Sequence, residues 1–186
     1  MANERFVTKD EMAAIEARSK IPVVTLMERA GRGVAAELRK LGFAAERIVF
    51  VCGPGNNGGD GYAAASFLPG SRVWPVTEPK TAAALAFYNK VIESPERVVS
   101  GVEGADCVVD CLLGPGVAGP VREPVASAIR SINSRKGKSL IVSVDVPSGL
   151  GTELQVDSDL VLAIGLPKAG AEGLKTIVVD VGLSGV

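Results

Sequence analysis

The spacing of apolar positions changes period once along the chain. Between Thr8 and Leu41 apolar residues recur every three or four positions; from Arg47 onward short unbroken apolar runs alternate with helical stretches. The first part predicts two helices. Residues 8–17 open on Thr8 with Glu11 three positions later, a capping-box pattern, and offer Met12 and Ile15 as a short apolar face. Pro22 suits the first turn of a second helix, in which Leu26, Ala30, Val34, Leu38 and Leu41 recur in phase. Gly31 and Gly33 interrupt that helix at a cost of about 1 kcal/mol each relative to alanine. Close packing against a neighbour or a short break accounts for them.

The second part predicts a buried sheet. Residues 47–52, 106–112 and 139–144 are continuous apolar runs, the signature of strands covered on both faces. Residues 71–76 read as a strand that Pro75 pushes toward an edge. Residues 97–100 read as a very short strand, and 159–164 and 175–180 complete the set. Helices are predicted over 60–68, over 81–92 with Leu85, Tyr88 and Ile92 on one side, and over 123–133 with Val125, Ile129 and Ile132 in phase. Strands alternating with helices imply an α/β fold: a Rossmann-like three-layer αβα sandwich, its central sheet mostly parallel, preceded by two extra helices. A chain of 186 residues fits one domain, 1–186.

Charge and composition narrow the chemistry. Lys plus Arg is 20 and Asp plus Glu is 21, so no broad basic field invites nucleic acid. No apolar run is long enough to span a bilayer, and the N-terminus lacks the shape of a signal peptide. There is no histidine, which removes Ser-His-Asp and Cys-His pairs and any imidazole metal site. Cys52, Cys107 and Cys111 all lie in strand-like runs; they read as buried free thiols of a reducing cytoplasm and are too few for a four-thiolate zinc site. Catalysis is left to carboxylates, amides, hydroxyls, lysine, backbone dipoles or a bound ion.

Three turns carry candidate chemistry, each just past a predicted strand, where open α/β sheets bind ligands. The first runs Gly53-Pro54-Gly55-Asn56-Asn57-Gly58-Gly59-Asp60-Gly61; Gly53, Gly55 and Gly58 have the spacing of an anion cradle at a helix N-terminus. Glu78, some 20 residues on, stands where a dinucleotide fold keeps its ribose-binding acid, so an NAD-linked dehydrogenase fits the same spacing. Against it, Asp60 puts a carboxylate in the predicted first helical turn, where a pyrophosphate would be repelled, although the same residues also read as loop and cap formers. The second turn, Gly114-Pro115-Gly116-Val117-Ala118-Gly119-Pro120, repeats the glycine spacing after a strand that Asp110 interrupts. Asp110 calls for a cation or ligand, because carboxylates are rarely buried alone. The third is Asp145-Val146-Pro147-Ser148-Gly149, where Asp145 and Ser148 also suit an ordinary turn. Elsewhere Lys136, Lys138 and Lys168 read as solvated loop lysines, with a phosphate contact as the alternative for Lys168. Trp74, Phe87 and Tyr88 read as packing, and Tyr62 as a residue able to line the first cradle.

In these three turns the chain resembles the NAD(P)H-hydrate epimerase family, the YjeF N-terminal domain. The segments Leu26-Met27-Glu28-Arg29-Ala30-Gly31 and Gly165 to Gly170 add to the likeness, which spans nearly the whole chain. The resemblance implies an isomerase of metabolite repair that interconverts the R and S epimers of hydrated NADH and NADPH. It implies a separate dehydratase acting on one epimer, and often a homodimer; a fused dehydratase has no room in 186 residues. Carried over by motif, Asn56, Asn57, Gly58, Gly59 and Asp60, together with Gly114, Pro115, Gly116, Val117, Ala118, Gly119 and Pro120, would hold the substrate. Asn57, Asp110 and Ser148 would ligate a potassium ion, and Asp145 would contact the substrate as the candidate acid–base catalyst. Family-like domains that bind or scaffold without catalysis are the other class the resemblance admits. Departures from the family pattern fall at Arg29, at Pro115 and in the short stretch after Gly149.

Overall fold

The computed structural model describes residues 5–117 and 119–183. Its elements are α1 (Lys9–Ser19), α2 (Val23–Lys40), β1 (Ile48–Cys52), α3 (Asn56–Ser66), β2 (Arg72–Pro75), α4 (Ala82–Ile92), β3 (Cys107–Cys111), α5 (Val125–Asn133), β4 (Leu140–Val144), β5 (Leu160–Ile164) and β6 (Thr176–Val179). The six strands form one sheet in the order β2-β1-β3-β4-β5-β6, and every pair is parallel. Parallel sheets need cover on both faces. Residues of α1 to α4 pack with Phe50, Val109 and Leu162 on one side; α5 packs with Val49, Val108 and Ile141 on the other. The expected α/β architecture and the edge position of the Pro75 strand are both present.

The N-terminal helices follow their local signals. Thr8 caps α1: its hydroxyl accepts from the Glu11 amide, and the Glu11 carboxylate accepts from the Thr8 amide at 2.8 Å. Helix α2 is continuous through both glycines, so close packing is what they serve. A Cβ on Gly31 would stand 2.6 Å from Cβ of Ala63 in α3, and one on Gly33 would stand 2.2 Å from Cγ1 of Val179 in β6. Gly31→Ala is therefore expected to lower stability by about 1–3 kcal/mol in a denaturant titration, overpacking outweighing the gain in helix propensity. A more stable variant would overturn that account.

Two expectations are corrected. In α4 the buried face is Ala84, Phe87 and Val91, while Leu85 and Ile92 are exposed. This helix is apolar nearly all round, so periodicity alone allowed either face; packing against α3, where small Ala84 permits close approach, selects the other one. Residues 97–100 do not form a strand: Pro95–Arg97 is a single 3-10 turn, and only Val98 bridges to Val73. Arg97 pins the chain there, its guanidinium donating to the carbonyls of Ala65 (2.7 Å) and Ser71 (2.8 Å) beneath the end of α3. No helix among the described residues is long and apolar enough to cross a membrane.

Candidate functional site

Strand β1 leads through α3, on one face of the sheet, to the edge strand β2, whereas its neighbour β3 leads through α5, on the other face, to β4. These two crossovers leave in opposite directions, so a crevice opens at the carboxyl ends of β1 and β3. A cleft of about 440 Å³ lies there. Its walls are the start of α3, the loop Leu112 to Val117, Asp145, Ile164 and Lys168, with Lys9, Met12, Ala13 and Glu16 of α1 across the mouth.

The first glycine turn is tighter than its sequence suggested. Helix α3 begins at Asn56, so Asn56 to Gly59 form its first turn and Asp60 stands in its second. No side chain caps the helix, and its first internal bond runs from the Gly59 amide to the Gly55 carbonyl (3.1 Å). The amides of Asn56, Asn57 and Gly58 are left at the cleft, the arrangement that attracts anions. Glycine is obligatory where the turn folds on itself: a Cβ on Gly58 would lie 2.0 Å from the Gly53 carbonyl oxygen, and one on Gly53 would lie 1.9 Å from that of Leu112.

Behind this turn lies a fully buried polar knot. Asp110, with no exposed surface, accepts from the Ser148 hydroxyl (2.6 Å), the Ser148 amide (2.8 Å), the Ser143 hydroxyl (2.8 Å) and the Leu112 amide (3.2 Å). Burial holds its carboxyl above the usual carboxylate range, and these donors pull the other way. The Ser148 hydroxyl also accepts from the Leu113 amide (2.8 Å), and the Asn57 amide nitrogen donates to the Leu113 carbonyl (3.0 Å). That leaves Asn57 Oδ1 buried with no hydrogen-bond partner among the described residues. An orphaned carbonyl oxygen beside a hydroxyl, a backbone carbonyl and one carboxylate is an all-oxygen donor set, the kind that suits a hard cation. The three residues expected to hold potassium, Asn57, Asp110 and Ser148, thus lie together.

On the cleft side, Asp145 adopts φ 68°, a left-handed conformation that is uncommon outside glycine. Its carboxylate is ion-paired with Lys168 and accepts from the Ile164 amide (3.2 Å). Lys168 is 3% exposed and also donates to the Ile164 carbonyl, which corrects the reading of it as a solvated lysine. Its loop is pinned by the segment before α1: Val7 donates to the Pro167 carbonyl and accepts from the Ala169 amide, both at 2.9 Å. Asp60 and Glu16 complete the group. Burial raises the Asp60 carboxyl well above the usual carboxylate range; Asp145 and Glu16 add to this, and Lys168 opposes it. Partial burial raises the Glu16 carboxyl too, with Lys168 pulling it back and Asp145 pushing it up.

Other expected residues fall elsewhere. Gly114, Pro115, Gly116 and Val117 line the cleft, whereas Gly119 and Pro120 line a separate concavity with Val121 and residues 151–154; Ala118 lies outside the described residues. Tyr62 is wholly buried against Tyr88, ring centroids 5.2 Å apart, and does not line the cleft: one turn past the cradle, it faces the core. Glu78 is exposed and away from the cleft walls. Arg29 donates to the Val181 carbonyl (3.0 Å), so that departure from the family pattern leaves the cleft untouched. Lys136 is no free turn lysine but pairs with Asp157 (2.9 Å) and Asp159 (2.8 Å). All three cysteines are buried and free, and burial pushes the Cys107 thiol up to about 12. Sequence reading missed Lys9 and Glu16 of α1 and the burial of Lys168. Only the proximity of Glu16 to the Met12–Ile15 face hinted at the first, and nothing local marks the second.

Comparison with known proteins agrees with this geometry. Residues 23–170 match the family model described as YjeF-related protein N-terminus. The bifunctional NAD(P)H-hydrate repair enzyme Nnr of Hyperthermus butylicus is 37% identical over 193 residues, which cover 89% of the chain but 35% of that protein. The chain likewise covers 36% of the Methanothermobacter thermautotrophicus Nnr, so it spans little more than a third of these two relatives. The NAD(P)H-hydrate epimerase of Limosilactobacillus fermentum is 30% identical, with 88% of the chain and 89% of that protein covered. Among solved structures, the crystal structure of yeast ynu0 superposes with a TM-score of 0.80 at 21% identity, covering 94% of this chain and 87% of that one, a likeness of fold.

Proposed function

The chain belongs to the YjeF-related N-terminus family, and from that premise we propose that it epimerises hydrated NADH and NADPH. The observation that carries this reading is the cleft itself: uncapped α3 amides for a phosphate-bearing ligand beside a carboxylate–lysine pair, with no histidine required. We read residues 1–186 as one such domain, working in a reducing cytoplasm as its buried free thiols suggest, as a monomer or a homodimer, together with a dehydratase activity that consumes one epimer.

The reaction asks for little machinery. The carbon to be inverted carries a hydroxyl and is bonded to the ring nitrogen. When the hydroxyl leaves as water, the nitrogen lone pair forms a planar cation that water can rejoin from either face. Asn56 to Asp60 and Gly114 to Val117 would bind the dinucleotide; Gly119 and Pro120 would meet only a part of it that reaches beyond the cleft. Asp145, already paired with Lys168, presents negative charge to the ring cation. Asn57, Asp110 and Ser148 would hold potassium, which supplies fixed positive charge between the two glycine loops. Asp110 contributes mainly charge, since both its oxygens are already engaged.

The test is incubation of mixed R and S hydrated NADH with an S-specific dehydratase. Depletion of both epimers faster than spontaneous epimerisation is expected. Persistence of the R form at its spontaneous rate would overturn the reading in favour of a scaffold, and hydride transfer to or from an alcohol or acid would favour a dehydrogenase. For the ion, the unfolding free energy should rise by about 1–3 kcal/mol near saturation, seen as a higher melting temperature, when potassium chloride replaces tetramethylammonium chloride at equal ionic strength. The rise should vanish in Asn57→Ala; an equal rise in that variant would remove Asn57 from the ion site.

A further inference from the structure

We infer that Asp60 is the acid of this cleft: its carboxyl, set between α1 and the Asp145–Lys168 pair, protonates the departing hydroxyl and takes the proton back when water returns. This rests on the epimerase reading and goes beyond it, because Asp145 cannot fill both roles. Asp145 already has Lys168 and the Ile164 amide on its carboxylate, so it suits a base or a counter-charge and not a proton donor. Among the described residues Asp60 has no lysine or arginine within ion-pairing distance, and its carboxyl accepts no hydrogen bond.

The surroundings favour a neutral carboxyl. Asp60 lines the main cleft and also a smaller chamber of about 70 Å³, which it shares with Glu16, Asn56 and Ile164 and which Leu26, Met27, Ala30, Val181 and Leu183 wall with apolar surface. The charged groups facing it are few. From α1 come Glu16 and, further along the mouth, Lys9; from the loop after β4, Asp145; from the loop after β5, Lys168. From β1 and β3 come the buried thiols of Cys52 and Cys111, and α2 offers only apolar side chains. Two carboxylates and one lysine already engaged leave a third carboxyl that gains by keeping its proton. The small chamber is large enough for water, so the molecule released by Asp60 has a place beside it.

The step balances. The C–O bond breaks, the hydroxyl oxygen takes the Asp60 proton and leaves as water, and the nitrogen lone pair becomes the second C–N bond. On return, water oxygen bonds to the carbon, its proton goes to the Asp60 carboxylate, and the electron pair goes back to nitrogen. The rate therefore requires protonated Asp60 and falls as pH rises through its raised pKa.

The test uses the full chain with hydrated NADH and the S-specific dehydratase in excess. Asp60→Asn is expected to lower kcat by about 10²–10⁴-fold while hydrated NADH still binds by calorimetry. Glu16→Gln removes a like charge facing Asp60, so the alkaline fall of kcat/KM should move to lower pH. In carbon-13 NMR of aspartate-labelled protein, the Asp60 carboxyl, assigned by its loss in Asp60→Asn, should be protonated at pH 7. An Asp60→Asn rate within about threefold of the wild type, an unmoved alkaline limb in Glu16→Gln, or an Asp60 carboxyl already ionised at pH 7 would each overturn the assignment. A wild-type protein without epimerase activity would fail the functional reading instead, and the NMR titration would still decide whether Asp60 holds the proton.

Discussion

Asp145→Asn should lower the R-to-S conversion rate by about 10²–10⁴-fold while the protein stays folded. The backbone makes this a clean substitution. Asp145 sits at φ 68°, and asparagine tolerates the left-handed region as aspartate does, so the turn after β4 need not move. What is lost is the charge. The carboxamide can still accept from the Ile164 amide, but it no longer balances the ring cation. The variant also strips Lys168 of its counter-ion, and an uncompensated buried charge typically costs about 3–5 kcal/mol. Lys168 keeps the Ile164 carbonyl and has Glu16 nearby, so the measured loss should fall below that range. Asp145→Asn combined with Lys168→Met separates the two effects. The double variant should recover much of the stability and none of the rate, a coupling that a double-mutant cycle reads directly. An unchanged R-to-S rate in Asp145→Asn would remove Asp145 from the chemistry.

The contrast between Asp145 and Lys168 shows where sequence reading reaches its limit. Asp145, Asp110, Ser148 and the first glycine turn were legible because each follows a buried apolar run, and the carboxyl ends of parallel strands share one rim. Strand identity was legible for the same reason: runs such as residues 48–52 have no amphipathic alternative. The burial of Lys168 depends on Val7, about 160 positions away, pairing with its loop, and no local pattern encodes that bridge. Glu16 reaches the cleft mouth because α1 lies across it, and a short, weakly amphipathic helix does not announce which side it presents. The start of α3 was misplaced because Asn and Gly are poor helix formers; the closeness of Gly53 and Gly58 to backbone oxygens forces the turn that begins the helix four residues earlier. The face of α4 was misread because an almost wholly apolar helix carries no phase.

The largest stability effect is expected at Asp110. Its carboxylate gathers four donors from three separate segments: the Leu112 amide after β3, the Ser143 hydroxyl on β4, and the amide and hydroxyl of Ser148 in the third turn. Removing it by Asp110→Ala leaves two buried amides without an acceptor, each costing about 1–3 kcal/mol. The two hydroxyls have fallbacks, Ser148 the Leu113 carbonyl at 3.3 Å and Ser143 the hydroxyl of Ser158. A total loss of about 3–5 kcal/mol in a urea titration follows, close to what breaking a buried charged network costs. Asp110→Asn should lie between, because the amide offers one acceptor oxygen and turns a second donor toward amides that already donate. The consequence for the site is as large as that for the fold. Ser148 and Leu113 are held by this knot, and Leu113 in turn holds the Asn57 side chain, so the potassium-dependent rise in melting temperature should disappear along with the stability. Stability lost with the potassium response retained would mean that Asp110 serves the fold alone. Unchanged stability in Asp110→Ala would mean that water replaces the carboxylate, and the knot would not be what joins the second and third turns.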